Sequence, residues 1–194
     1  DPSVGLLAGS TQLRVRGLGF LPSVTAFCRI GLHHVVVARV VSGTLLECET
    51  PSHTQPALVG VEVSLNGLDY GEDGVLFEYQ AAGSLAELSP SKGPSEGGTL
   101  VNATGSGFAA RSAALSYLRV RFGAGAVPGV WVSTSELRVV APEHAASLVS
   151  VELTLNDQQF TSDGVHFEYE AVLLAFGRCF DTVLITDTRD VYFQ

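Results

Sequence analysis

The chain has 194 residues, 46% hydrophobic and 16% charged, which excludes a disordered polypeptide. Its formal net charge is −9. The acidic excess recurs in each region: 4 basic against 8 acidic residues in 1–82, 5 against 9 in 83–170, and 2 against 3 in 171–194. A nucleic-acid backbone is therefore repelled throughout, and no nucleic-acid partner is expected.

No run reaches the roughly 18 uncharged apolar residues that a membrane-spanning helix needs. The chain opens at Asp1, contains no Met, and lacks a basic start followed by an apolar core. It reads as a mature or excised part of something longer.

In chain order, strands are predicted at 10–16, 25–30, 35–41 and 44–49. Val61, Val63 and Leu65 then alternate with Glu62, Ser64 and Asn66; further on, Val75, Phe77 and Tyr79 alternate with Leu76, Glu78 and Gln80. A period of two puts one face on a core and the other in water, so Val61, Val63, Leu65, Val75 and Phe77 are expected inside and Glu62 and Glu78 outside. Asn66-Gly67 predicts a tight turn between these two strands. No stretch shows helical periodicity.

The second half repeats the first. Asp1–Phe20 lies over Ser89–Phe108 without a gap, and Pro2, Ser3, Gly5, Gly9, Thr11, Gly17, Gly19 and Phe20 all recur. Residues 61–79 lie over 151–169, so Phe77 and Tyr79 fall on Phe167 and Tyr169. The boundaries implied are 1–82 for the first module and 83–170 for the second, with 171–194 as a tail or the start of a further domain. Many short strands at regular spacing argue a small two-sheet sandwich for each.

The motif order resembles the IPT/TIG family of immunoglobulin-like modules, found in plexin and scatter-factor-type receptors, in some carbohydrate-active enzymes and in some transcription factors. In the second module it is carried by Pro90, Gly93, Pro94, Gly97, Gly98, Thr99, Gly105, Gly107 and Phe108. In the first it is carried by Cys28-Arg29-Ile30-Gly31, Cys48-Glu49-Thr50-Pro51 and Phe77-Glu78-Tyr79. The first module departs at Leu6 and Ser10, where the pattern has Pro and a second Gly. The resemblance implies an all-β chain: two tandem immunoglobulin-like β-sandwiches plus a short β tail.

Cys28 and Cys48 fall on two predicted strands, and the aligned positions are Val120 and Val139. Loss of both together is what a disulfide predicts, and the resemblance also places one there. Two separate buried cysteines are the other reading. A disulfide implies an oxidising compartment, and so an extracellular or cell-surface location. Cys179 has no partner in view. Asn102-Ala103-Thr104 is the glycosylation sequon, although a strand position could turn Asn102 inward.

Other candidate chemistry is thin. His33, His34 and His53 could suggest a metal, but neighbouring histidines on a strand point apart. Asp69, Glu72 and Asp73 lack the spacing of a calcium loop, and only Asp157 and Asp163 answer them in the second module. Gly105-Ser106-Gly107 answers to Gly17-Leu18-Gly19, so the glycines are the feature and Ser106 is no nucleophile; they serve unusual backbone angles or close packing. Arg14 with Arg16, and Arg119 with Arg121, could hold a glycan or an acidic partner, or form a solvated sheet face. Trp131 is expected in the core.

The functional expectation is a non-catalytic extracellular segment of a larger cell-surface or secreted protein, serving as spacer and as adhesion or recognition surface. No catalytic residue, cofactor or metal is expected. Its partners would be other proteins or neighbouring domains of the same parent chain, with glycans as a further class. The linker residues Gln80–Ser84 are few, so the modules should be juxtaposed. The alternatives are an accessory module of a polysaccharide-active enzyme, or a DNA-binding or dimerisation module of a transcription factor. The tail holds Val172, Leu173, Leu174, Phe176, Phe180, Val183, Leu184 and Ile185. It is expected to form ordered strands over 171–186, docked on the second module or opening a third.

Overall fold

The structure is a computed structural model that describes residues 1–21 and 26–171. The strands expected in the tail, and Cys179, lie outside the described residues.

The first module contains β1 (Val4–Leu6), β2 (Gln12–Arg16), β3 (Phe27–Ile30), β4 (His34–Val37), β5 (Arg39–Ser42), β6 (Leu45–Glu49), β7 (Ala57–Ser64) and β8 (Val75–Gln80). They form a five-stranded sheet, β1-β8-β7-β3-β4, and a three-stranded sheet, β2-β6-β5. The second module contains β9 (Ser84–Ser89), β10 (Lys92–Pro94), β11 (Leu100–Ser106), the short helix α1 (Ala110–Ala114), β12 (Arg119–Phe122), β13 (Gly125–Pro128), β14 (Val130–Ser133), β15 (Glu136–Val140), β16 (Leu148–Thr154) and β17 (Val165–Glu170). Its sheets are β10-β17-β16-β12-β13 and β14-β15-β11-β9. The all-β, two-sandwich expectation is met.

Each sandwich buries the inner faces of both its sheets. In the first, Leu13, Leu46 and Cys48 from one sheet meet Cys28, Ile30, Val61, Phe77 and Tyr79 from the other. In the second, Val101, Leu137 and Val139 meet Val120, Phe122, Val151, Leu153, Phe167 and Tyr169. The aromatic pair recurs in edge-to-face contact: Phe77–Tyr79 at 5.0 Å and Phe167–Tyr169 at 4.9 Å between ring centres.

Four expectations are corrected. The run 35–41 is not one strand. Ala38 donates its N–H to Ala26 O at 2.9 Å, and there the chain leaves β4 in one sheet for β5 in the other. Gly129 does the same in the second module, bonding Leu118 O at 3.0 Å. Val35–Val37 and Val40–Val41 flank Ala38-Arg39 with no glycine, proline or other turn residue to mark the change of sheet.

Asn66-Gly67 does not close a two-residue hairpin. Asn66 Oδ1 instead accepts the N–H groups of Leu68 and Asp69, both at 2.9 Å, and opens a longer connection to β8.

Val75 lies on the core side of β8 yet is 48% exposed. Its counterpart Val165 packs against the core of the second module, whose opposing sheet has β9 as a fourth strand. Beside Val75 lies a groove of about 240 Å³ lined by Leu13, Val15, Val61, Val75 and Phe77. Val63 and Leu65 are only half-buried, and Glu62 and Glu78 are half-buried rather than fully outside.

Helix α1 was not foreseen. It is a single turn, too short to show a period, and Ala109 caps it with no side-chain bond.

Candidate functional site

The described residues hold no cluster of three or more metal-ligating side chains. His34 and His53 come within 6.3 Å, but His53 is stacked on Tyr79 at 4.8 Å. His144 repeats that stack on Tyr169 at 5.0 Å, a relationship the sequence reading missed. The acidic residues disperse: Asp69 accepts from Asn66 Nδ2, Asp163 accepts the N–H of Leu85, and Asp157 faces Arg119 at 3.5 Å.

Cys28 on β3 and Cys48 on β6 are joined in a disulfide that ties the two sheets of the first module, with Cα atoms 6.4 Å apart. Val120 on β12 and Val139 on β15 hold the same places in the second core. Asn102 lies on β11 between Arg138 and Ser89, and its side chain faces solvent.

The arginines form a repeated arrangement different from the pairs singled out in the sequence. Arg29 is held by Glu62 and lies over the Tyr70 ring at 4.3 Å. Arg121 is held by Glu152 and lies over Phe160 at 4.0 Å. These cations are neutralised and stacked, so they brace the sheet face rather than await a ligand. Arg14 pairs with Glu47 at 3.5 Å. Trp131 is half-buried and donates its indole N–H to Phe108 O at 2.9 Å. Of the paired glycines, a Cβ on Gly105 would sit 1.9 Å from Ser84 O, while Gly107 holds φ at +72°. Gly17 and Gly19 divide the same roles against Phe20 and at φ +76°.

The densest polar chemistry lies between the modules. After β16, Asn156 Oδ1 accepts the N–H groups of Gln158 at 3.2 Å and Gln159 at 3.0 Å, the same turn that Asn66 makes. Here the turn reaches into the first module. Asn156 Nδ2 donates to Thr11 Oγ1 at 3.2 Å, and Thr11 Oγ1 donates to Gln159 Oε1 at 3.1 Å. Gln159 Nε2 donates to Gly9 O at 2.7 Å. The Gln158 amide bridges the Gln12 backbone, accepting its N–H at 2.9 Å and donating to its C=O at 3.0 Å.

Helix α1 closes the other side. Ser112 Oγ donates to Gln80 Oε1 at 3.0 Å, and Arg111 pairs with Glu78 at 2.7 Å. Tyr117 OH donates to Asp1 Oδ1 at 3.2 Å. Thr11, Gln80, Ser112 and Asn156 are all buried. Buried polar groups hold their place only when partnered, and here each finds its partner in the other module. The sequence reading expected juxtaposed modules but assigned none of these residues to the contact.

No helix among the described residues is long and apolar enough to cross a membrane. No curated protein matches the chain. Among solved structures, the full extracellular region of plexin A4 matches with a TM-score of 0.58 at 16% identity over 88% of this chain. A second plexin A4 extracellular structure matches with a TM-score of 0.46 at 18% identity, covering 87% of this chain and 17% of that one. A Bacteroides ovatus mixed-linkage glucan utilisation protein, SGBP-B, in complex with a mixed-linkage heptasaccharide, matches with a TM-score of 0.36 at 12% identity, covering 88% of this chain and 43% of that one. At these identities the first likeness is one of fold, and this chain spans only 15% of that plexin chain. The family model described as IPT/TIG domain matches residues 1–79 and again 84–169. The chain therefore belongs to the IPT/TIG family and carries two of its domains in tandem.

Proposed function

We propose that this chain is a non-catalytic, extracellular spacer: a stiff two-module segment of a larger cell-surface or secreted protein that sets the position of a recognition surface. The observation that carries this reading is the joint. Its buried side chains, Thr11 and Gln80 on one side and Asn156 and Ser112 on the other, hydrogen-bond to one another across the joint, and those bonds exist only while the modules hold one orientation. A hinge that swung freely would exchange these bonds for bonds to water and give up about 0.5–1.5 kcal/mol for each. The boundary falls in residues 81–83, between β8 and β9, too short a connection to separate the modules.

The disulfide supports the oxidising location. Solvent-facing Asn102 suits glycosylation in the same compartment. The experiment is secreted expression followed by non-reducing peptide mapping and small-angle scattering. The reading expects a bonded Cys28–Cys48 peptide, a glycan on Asn102, and a scattering profile that one rigid two-module shape fits. Free thiols, or a profile that needs an ensemble of orientations, would contradict it.

A further inference from the structure

The acceptors by which the first module holds the second have counterparts on the second module itself. Gly9, Thr11 and Gln12 answer to Gly97, Thr99 and Leu100, and Glu78 and Gln80 answer to Glu168 and Glu170. What the joint uses at these positions is two backbone carbonyls, one backbone N–H, a threonine hydroxyl and side-chain oxygens. The second module keeps every one, with the Glu170 carboxylate in place of the Gln80 amide oxygen. The local packing is kept as well: Cβ atoms built on Gly5 and on Gly93 would meet the hydroxyls of Thr11 and Thr99 at 2.4 and 2.1 Å.

Burial separates most of the two sets. Gly9, Thr11 and Gln80 are buried and Glu78 half-buried against the second module, whereas Gly97 and Thr99 are half-exposed and Glu168 and Glu170 exposed; Gln12 and Leu100 are exposed alike. Glu170 meanwhile holds Lys92 at 2.7 Å.

We infer that this edge of the second module, open among the described residues, is a docking site for a further IPT/TIG module. That partner bears an Asn turn followed by side-chain amides, as Asn156, Gln158 and Gln159 do, and a serine and an arginine on the short helix, as Ser112 and Arg111 do. The contact is heterologous: the acceptor edge of one module meets the turn and short helix of the next. A second copy of this chain does not supply the partner. The turn of the first module offers Leu68 and Asp69 where the joint needs two amides, and a carboxylate cannot donate to the Gly97 carbonyl. The inference rests on the rigid-joint reading above.

The test is a three-module chain, residues 1–170 followed by a second copy of 81–171. Spin labels are placed at the equivalent exposed positions Thr44 of the first module, Ser135 of the second and Ser135 of the appended copy, and the distances are read pairwise by pulsed electron resonance. The inference expects the second-to-third distance to reproduce the first-to-second one in mean and width. Asn156→Ala in the appended copy alone, or Thr99→Val in the middle module alone, should erase the narrow second-to-third peak and leave the first-to-second peak in place. A broad second-to-third distribution beside a narrow first-to-second one, or a narrow peak at a different mean, overturns the inference and leaves the rigid joint standing. A broad first-to-second distribution overturns both.

Discussion

The Asn156 amide donates to Thr11 Oγ1 at 3.2 Å, across 145 positions of sequence and from one sandwich to the other. Within its own turn Asn156 donates to Gln159 Oε1 at 2.5 Å, as its counterpart Asn66 donates to Asp69 Oδ2 at 2.9 Å. The same residue in the same turn thus does local work in both modules and in one of them also joins the two.

Asn156→Ala should therefore cost more than Asn66→Ala. The first change leaves Thr11, Gln159 and two backbone N–H groups short of a partner in a buried place, at about 1–3 kcal/mol. The second exposes its orphaned groups to water and should cost under about 1 kcal/mol. Urea unfolding of the two variants measures the difference.

Cys28 and Cys48 close a loop with a sequence separation of 20, worth about 3 kcal/mol in the chain-entropy account. Cys28→Val with Cys48→Val copies the second module, where Val120 and Val139 fill the same places. The double variant should fold, with the first module destabilised by about 2–4 kcal/mol and the second unchanged. Reduction of the native protein should lower the same unfolding transition, and differential scanning calorimetry resolves the two modules.

Tyr79 and Tyr169 give a matched pair. Tyr79 OH donates to Pro51 O at 2.9 Å, whereas Tyr169 OH is buried without a partner among the described residues. Tyr79→Phe should cost about 1 kcal/mol and Tyr169→Phe should be neutral or slightly stabilising. Burial raises both phenol pKa values above their ordinary value of 10.0. A group whose folded pKa is raised contributes fully below its unfolded pKa and loses that contribution as the pH climbs through the folded one. Stability should hold up to about pH 10 and fall beyond it, and the fall should be shallower in either Phe variant. Chemical denaturation at pH 8 and pH 11 checks both the sign and the window.

What could be read in the sequence was what the two modules share. Phe77, Tyr79, Phe167 and Tyr169 showed themselves by alternation and repetition, and all four are buried. The paired loss of Cys28 and Cys48 was legible for the same reason. The joint was not, because the side-chain amides that complete it differ between the modules. Leu68 and Asp69 become Gln158 and Gln159, and a repeat search discards such positions as drift. A sequence signal did exist, two adjacent amides in a turn whose counterpart has none, but nothing local says where that turn points. The change of sheet at Ala38 was hidden for another reason: the valines on either side of it satisfy the same period in both sheets.

The central claim is that the two modules share one fixed orientation. Residual dipolar couplings measured on the backbone amides of the whole chain test it most directly. The account predicts that couplings from residues 1–79 and 84–169 fit a single alignment tensor on the relative orientation described here, and that Asn156→Ala gives the modules separate tensors of different magnitude. Two tensors of unequal magnitude in the unmodified protein would contradict it.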